Sequence, residues 1–240
     1  MLSVFVLGAA LGILPAQAEK IVLVAGGSED RVDIPATRAR LKEPFGVDFD
    51  RAGNLFIIEM VSGNRLLSIN DRGVLTHIAG ELKPGDGGDG GPALAASFHG
   101  PHNLAVLPDG DILIADTWNG RVRRLNRARG TVTTEPGFSV PAERARTGGP
   151  FCIALDPAGT QLYVADLRRV HAVDLKTGQA RVVAGNGEKG VPKDGAVAIE
   201  SPLADPRAVA VDRQNNVYIL ERGGHALRVV GRDGKIRTVV

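Results

Sequence analysis

Several stretches of this sequence combine residue types and spacings that could do chemistry. GDGGDGGPA, Gly85 to Ala93, sets two carboxylates among glycines between apolar runs. Such a stretch could cradle a phosphate, wrap a calcium ion or reverse the chain. A phosphate loop needs Lys and Ser or Thr directly after its last glycine, with a helix behind. Pro92 and Ala93 stand there instead. A calcium loop of the EF-hand kind needs spaced oxygen ligands closing on a glutamate, and that pattern is missing too. The stretch therefore reads as a turn whose glycines permit positive φ. HGPHN, His99 to Asn103, is the richest cluster, and His102 has the chemistry of a metal ligand or a general base. RVRRLNRARG supplies Arg121, Arg123, Arg124, Arg127 and Arg129. On a strand alternate arginines point to opposite sides, so they form no single patch for nucleic acid. Aromatic residues at 4% are too few for a base-stacking platform, and a net charge of +2 attracts polyanions weakly. No G-x-S-x-G elbow and no cofactor fingerprint occurs. The single cysteine, Cys152, excludes a disulfide framework and a cysteine-based zinc site.

The elements that position these residues come from a repeat. Four segments, starting at Pro44, Pro101, Pro150 and Pro206, share one grammar. A short alternating run comes first: Gly46–Asp50, Asn103–Leu107, Cys152–Asp156 and Ala208–Asp212. A polar turn follows, then a denser apolar run ending in an acid: LFIIE, ILIAD, LYVAD and VYILE. A third and a fourth run complete each copy. Short runs separated by Gly, Asp and Asn turns build an antiparallel meander. A four-stranded meander repeated about every 50 residues is a propeller blade, and neighbouring blades cover the faces that one blade leaves open. The expected fold is thus an all-β propeller with blades over 44–80, 101–137, 150–185 and 206–240. The connectors Gly80 to Pro101 and Gly185 to Pro206 have the same length, so GDGGDGG links one blade to the next.

The anchor prolines, GNLFIIEMVSGNRL, GDILIADTWNGRVRRL and the GDGGPA connector together resemble the NHL-repeat β-propellers, above all the exported bacterial ones. The likeness runs from Ile21 to Val240 and is closest at Asp116 to Arg123. The third copy departs, since ADLRRVHAV is shorter and lacks the asparagine. The resemblance implies six blades, four of them present here, with the ring incomplete on the C-terminal side. KIVLVAGG, residues 20–27, is expected as an orphan fourth strand. The acids Glu59, Asp116, Asp166 and Glu221, with the arginines Arg65, Arg121, Arg169 and Arg228, resemble the structural ion pairs and turn caps of such propellers.

In a propeller, loops from all blades converge at the channel mouth, where a binding site gathers. The residues flanking the anchors belong there: Glu43, Phe45, His99, His102, Asn103, Phe151, Asp205 and Arg207. A three-histidine zinc site like that of the related amidating lyase is unavailable, because His77, His171 and His225 lie on other strands. The gluconolactonase and regucalcin propellers hold a divalent metal with carboxylate and amide oxygens. By that comparison Glu43, Asn103 and Asp205 are oxygen donors suited to calcium or another hard cation, whose bound water would be the hydrolytic nucleophile. The expected function is a non-catalytic scaffold without cofactor, binding a protein, peptide, glycan or small ligand, with no nucleic-acid partner. The alternative is a metal-dependent lactonase. Residues 1–18 are apolar and end in Ala16-Gln17-Ala18, as a secretory signal peptide does. Their apolar core is shorter than the roughly 20 residues of a membrane span. The mature chain is therefore expected in the periplasm or outside the cell.

Overall fold

Three of the four first runs end on an aspartate that folds the backbone back. Asp50 Oδ1 accepts hydrogen bonds from the N–H groups of Ala52 (3.0 Å) and Asn54 (2.9 Å). Asp156 does the same for Thr160 and Gln161, and Asp212 for Gln214 and Asn216. A short acid that captures its own downstream N–H groups nucleates a turn, and the alternating residues on either side then pair as strands.

A computed structural model describes residues 21–240, so the signal peptide expected over residues 1–18 lies outside the described residues. Four antiparallel sheets follow one another along the chain. Sheet 1 holds β1 (Ile34–Pro35), β2 (Pro44–Phe49), β3 (Leu55–Glu59), β4 (Arg65–Ile69) and β5 (Val74–Ala79). Sheet 2 holds β6 (Asn103–Val106), β7 (Ile112–Asp116), β8 (Arg121–Asn126) and β9 (Thr131–Ser139). Sheet 3 holds β10 (Cys152–Leu155), β11 (Gln161–Ala165), β12 (Val170–Asp174) and β13 (Ala180–Ala184). Sheet 4 holds β14 (Pro206–Val211), β15 (Val217–Glu221), β16 (Ala226–Val230) and β17 (Ile236–Thr238). Strand order within every sheet is sequential, apart from the two-residue β1, which adds to the outer edge of β5.

The first strands stand side by side, β2 next to β6, β6 next to β10 and β10 next to β14. Gly46 makes the first of these approaches possible, since a Cβ there would lie 2.8 Å from the carbonyl oxygen of His102. The second strands are the most buried. Every residue of β3 and of β7 is buried, as expected of strands covered on both faces. Phe56 and Ile58 of sheet 1 meet Ile112 and Ile114 of sheet 2 in one apolar cluster, with Phe98 of the connector wedged between them. Equivalent clusters join sheet 2 to sheet 3 and sheet 3 to sheet 4.

The connectors belong to the blades they enter. Asp89 and Pro92 bridge to Val132 and Thr131 of β9, and Val197 bridges to Lys235 beside β17. The GDGGDGG stretch thus lies along the outer edge of sheet 2. Asp89 reaches further in, with Oδ1 2.8 Å from Nη2 of the fully buried Arg123. Ile34 and Pro35 cover β5 in the same manner, so the segment around them is the connector into sheet 1. Its Ile34, Ala36 and Ala39 bury the outer face of that sheet.

The strand expected over 20–27 is not formed. Residues 21–27 have no ladder, and Ile21, Val22, Leu23 and Val24 are exposed. A strand exists by pairing, and the nearest free edge, that of β5, is taken by Ile34–Pro35.

Candidate functional site

The acids that close the second strands set the geometry of one end of the sheets. Glu59 Oε1 accepts the N–H of Lys42 at 2.5 Å, while Oε2 holds Nε of Arg65 at 2.5 Å. Glu221 repeats this with the N–H of Ala204 (2.5 Å) and Nε of Arg228 (2.7 Å). In sheet 2, Asp116 Oδ1 accepts the N–H of His99 at 2.8 Å, and Oδ2 lies 3.7 Å from Arg121 and 3.6 Å from Arg123. In all three the carboxylate is buried and ties the second residue before the anchor proline to its own sheet. A buried charge is tolerated only when paired and hydrogen-bonded. Asp116 feels the cost of burial most, which pushes its pKa up to about 6 despite the N–H and amide bonds and the two nearby arginines.

The third blade differs. Asp166 accepts the N–H groups of Arg168 (2.7 Å) and Arg169 (2.6 Å) and pairs with His171 Nε2 at 2.8 Å. Arg169 turns away and donates to the carbonyl of Asn186 at 3.0 Å. Of the two roles expected for these acids, ion pair and turn cap, Asp166 takes the turn cap. The shorter ADLRRV turn brings the N–H groups to the carboxylate first.

With the anchors fixed, the residues around them meet in a row. Phe45 on β2 packs edge-on against His102 (4.8 Å between ring centroids), and His102 against Phe151 (5.9 Å). The guanidinium of Arg207 on β14 lies 3.7 Å above the Phe151 ring. The row runs across the starts of four successive first strands. Trp118 joins it, 6.1 Å from His102 and 5.1 Å from His99. Phe45 is 58% exposed, so the row opens to solvent at that end.

Most polar atoms of this end are engaged; Asp205 Oδ1 and Arg207 Nε face each other at 2.9 Å as an ion pair without hydrogen-bond geometry. His102 Nδ1 lies 2.7 Å from the Gly100 carbonyl, so that nitrogen carries the proton. Burial, then the positive charge of Arg207, holds the His102 pKa below its ordinary value, against the Gly100 bond, and the ring is neutral at pH 7. Asn103 Oδ1 accepts the N–H of Ile153 at 3.0 Å, joining β6 to β10. Asp205 lies 2.9 Å from Arg207 Nε and 2.7 Å from Arg222 Nε. Glu43 Oε2 accepts the N–H of Ser62 at 2.8 Å. The residue before each anchor proline has positive φ: Glu43 54°, Gly100 54°, Gly149 95° and Asp205 61°. Glycine takes that conformation freely; Glu and Asp before proline do so only when held. Hydrogen bonds from the N–H groups of Met60 and Arg222 to the two carbonyls hold them.

The structure thus gathers Phe45, His99, His102, Phe151, Asp205 and Arg207. It places Asn103 beneath them as a clip between strands, and Glu43 on the neighbouring turn. Glu43 Oε2, Asn103 Oδ1 and Asp205 Oδ2 each take a protein partner, and no group of three or more His, Cys, Asp or Glu that could hold a metal ion occurs among the described residues. Trp118 and Arg222 were not singled out from sequence. Trp118 is the only tryptophan of the chain, on the one turn that reads DTWNG, and that rarity was the available signal.

No helix among the described residues is long and apolar enough to cross a membrane. The family model of the teneurin NHL domain matches residues 90–240. Teneurin-3 of Danio rerio is 31% identical over 154 residues, which is 58% of this chain and 5% of that protein. Teneurin-1 of Homo sapiens is 28% identical over 164 residues, 62% of this chain and 6% of that protein. The chain therefore spans only a small fraction of the length of these relatives. Among solved structures, an auxiliary nutrient binding protein from Bacteroides thetaiotaomicron superposes with a TM-score of 0.63 at 14% identity, covering 85% of this chain and 48% of that one. A streptogramin B lyase gives 0.57 at 16% identity (88% and 57% covered), and a gluconolactonase from Xanthomonas campestris 0.56 at 18% (81% and 61%). At these identities the likeness is one of fold.

Proposed function

Because this chain belongs to the NHL-repeat family, in the branch described by the teneurin NHL domain, we propose that it is an exported, non-catalytic binding module whose recognition surface is the row from Phe45 to Arg207. The occupant is a protein or peptide segment that presents an apolar or aromatic side chain to the mouth. One observation carries this reading: rings and a stacked guanidinium from four successive first strands meet at one end of the molecule. Aromatic residues and arginine dominate the energetics of protein interfaces, because they combine large contact area with few rotors. One oxygen each of Glu43, Asn103 and Asp205 already serves a protein partner, which supports binding rather than hydrolysis.

The test is selection of peptides from a displayed library on the purified protein, repeated with Phe45→Ala and Arg207→Ala. Selected peptides should bind the parent and lose about tenfold or more in affinity for either variant, with unchanged thermal unfolding of Phe45→Ala. The competing reading, a calcium- or other metal-dependent lactonase, makes the opposite demand. It requires metal binding seen by calorimetry and lactone hydrolysis, both lost in Glu43→Gln plus Asn103→Ala. That result would replace the binding module by an enzyme.

A further inference from the structure

The third copy breaks the repeat, and the break leaves a space. In sheets 1, 2 and 4 the end of the second strand is filled by a buried carboxylate paired with arginine. In sheet 3 that pair is missing, and a cavity of about 300 Å³ opens between the end of β9, the 142–148 segment and the 166–169 turn. Arg144, Arg168, Arg169 and His171 line it, with Ser139 and Thr147 adding hydroxyls.

The charges of this lining are one-sided. Its single acid, Asp166, is satisfied on both oxygens by two backbone N–H groups and His171. Arg168 and Arg169 each donate one bond to a backbone carbonyl, of Leu167 and Asn186. Those bonds orient the guanidinium groups, each of which carries five N–H donors. Gly187 leaves room for Arg169, since a Cβ there would lie 2.3 Å from its Nη2. The Arg144 guanidinium has no hydrogen-bond or ion-pair partner among the described residues, while its backbone bonds Pro141 and the Thr147 hydroxyl. Phe138 closes one side, 5.4 Å from the His171 ring.

We infer that this cavity is a second binding site, separate from the row at the mouth, for a compact ligand carrying an oxyanion. Oriented guanidinium groups grip carboxylate, sulfate and phosphate oxygens in pairs, hydroxyls beside them suit a polyol, and the volume is at the small end of ligand pockets. The oxyanion sits among the three arginines and the hydroxyl-bearing body faces Ser139 and Thr147.

The experiment titrates glucuronate, glucose 6-phosphate and inorganic sulfate against the full chain, followed by calorimetry and by amide NMR shifts. Neutral glucose is the control ligand. At least one anionic probe should shift the amides of Thr147, Arg168 and Gly187, and glucose should not. Arg144→Ala and Arg168→Ala should each weaken binding about tenfold. Arg51→Ala, on a distant exposed turn, should leave it unchanged. Comparison of the three probes separates a carboxylate ligand from a phosphate or sulfate one. Absence of shifts at those amides, or equal binding by Arg144→Ala and Arg51→Ala, would overturn the site. The Arg144 side chain makes no hydrogen bond or ion pair among the described residues, so its truncation tests charge and leaves the backbone bonds of Arg144 in place.

Discussion

At Asn103 a single amide distinguishes a ligand from a clip. Its Oδ1 receives the N–H of Ile153, which sits in a strand flanked on both sides. Asn103→Ala leaves that N–H without a partner and should cost on the order of 1–3 kcal/mol in urea unfolding. Asp116 gives a prediction of the opposite kind, in pH. Burial raises its folded pKa to about 6, against about 3.8 in an unfolded chain. Between those values the folded form holds a proton that the unfolded form has released. The stability that Asp116 contributes is therefore lost as pH rises from about 4 to about 6, by an amount on the order of 3 kcal/mol. Asp116→Asn keeps an acceptor for the His99 N–H but does not titrate. The stability of the parent minus that of the variant should fall across this window and level off above it. A difference that rises with pH would mean that Arg121 and Arg123 outweigh burial.

At the scale of elements, the approach of β2 to β6 rests on one missing side chain. A Cβ at Gly46 would lie 2.8 Å and 2.9 Å from backbone atoms of His102 and Asn103, which have no freedom to turn aside. Gly46→Ala should destabilise by roughly 1–3 kcal/mol through overpacking. Gly87→Ala, with nothing within 4 Å, should stay within about 0.5 kcal/mol of the parent. Denaturant midpoints of the two variants make the comparison. The strands themselves were legible in the sequence, because LFIIE and ILIAD carry both the alternation and the double-sided apolar character of a covered strand. The site was less legible. The anchor prolines point to Phe45, His102, Phe151 and Arg207 as neighbours. Nothing in residue type says that the Asn103 amide bonds a strand and not a cation, for an amide oxygen suits both. The repeat does not say which acids pair with arginine and which cap turns; Asp166 caps, because a turn two residues shorter satisfies its carboxylate with backbone N–H groups. Residues 21–27 look like a strand by composition, yet composition does not supply the partner that a strand requires.

At the scale of the molecule, four apolar clusters alternate with the sheets, so each sheet is stabilised mainly by its immediate neighbours. Sheet 2 is flanked on both faces by other sheets, and β7 is buried throughout. Native-state hydrogen exchange should find its slowest amides in β7 and faster ones in β17, whose Arg237 and Thr238 are exposed. Phe98 is fully buried where sheets 1 and 2 meet. Phe98→Ala should cost about 3–5 kcal/mol and raise exchange in both sheets together, while the cluster between sheets 3 and 4 is less affected. The connectors add an order in time. Asp89 and Pro92 cover the outer edge of β9, Val197 that of β17, and Ile34 that of β5. In each case the cover precedes its strand in the chain. A ribosome working from the N-terminus delivers the connector first and the exposed outer strand last, and domains fold in that direction during synthesis. Each of these three outer strands thus emerges after its covering segment, from a ribosome or an export channel alike, and its free hydrogen-bonding edge has its cover at hand before a neighbouring chain can pair with it.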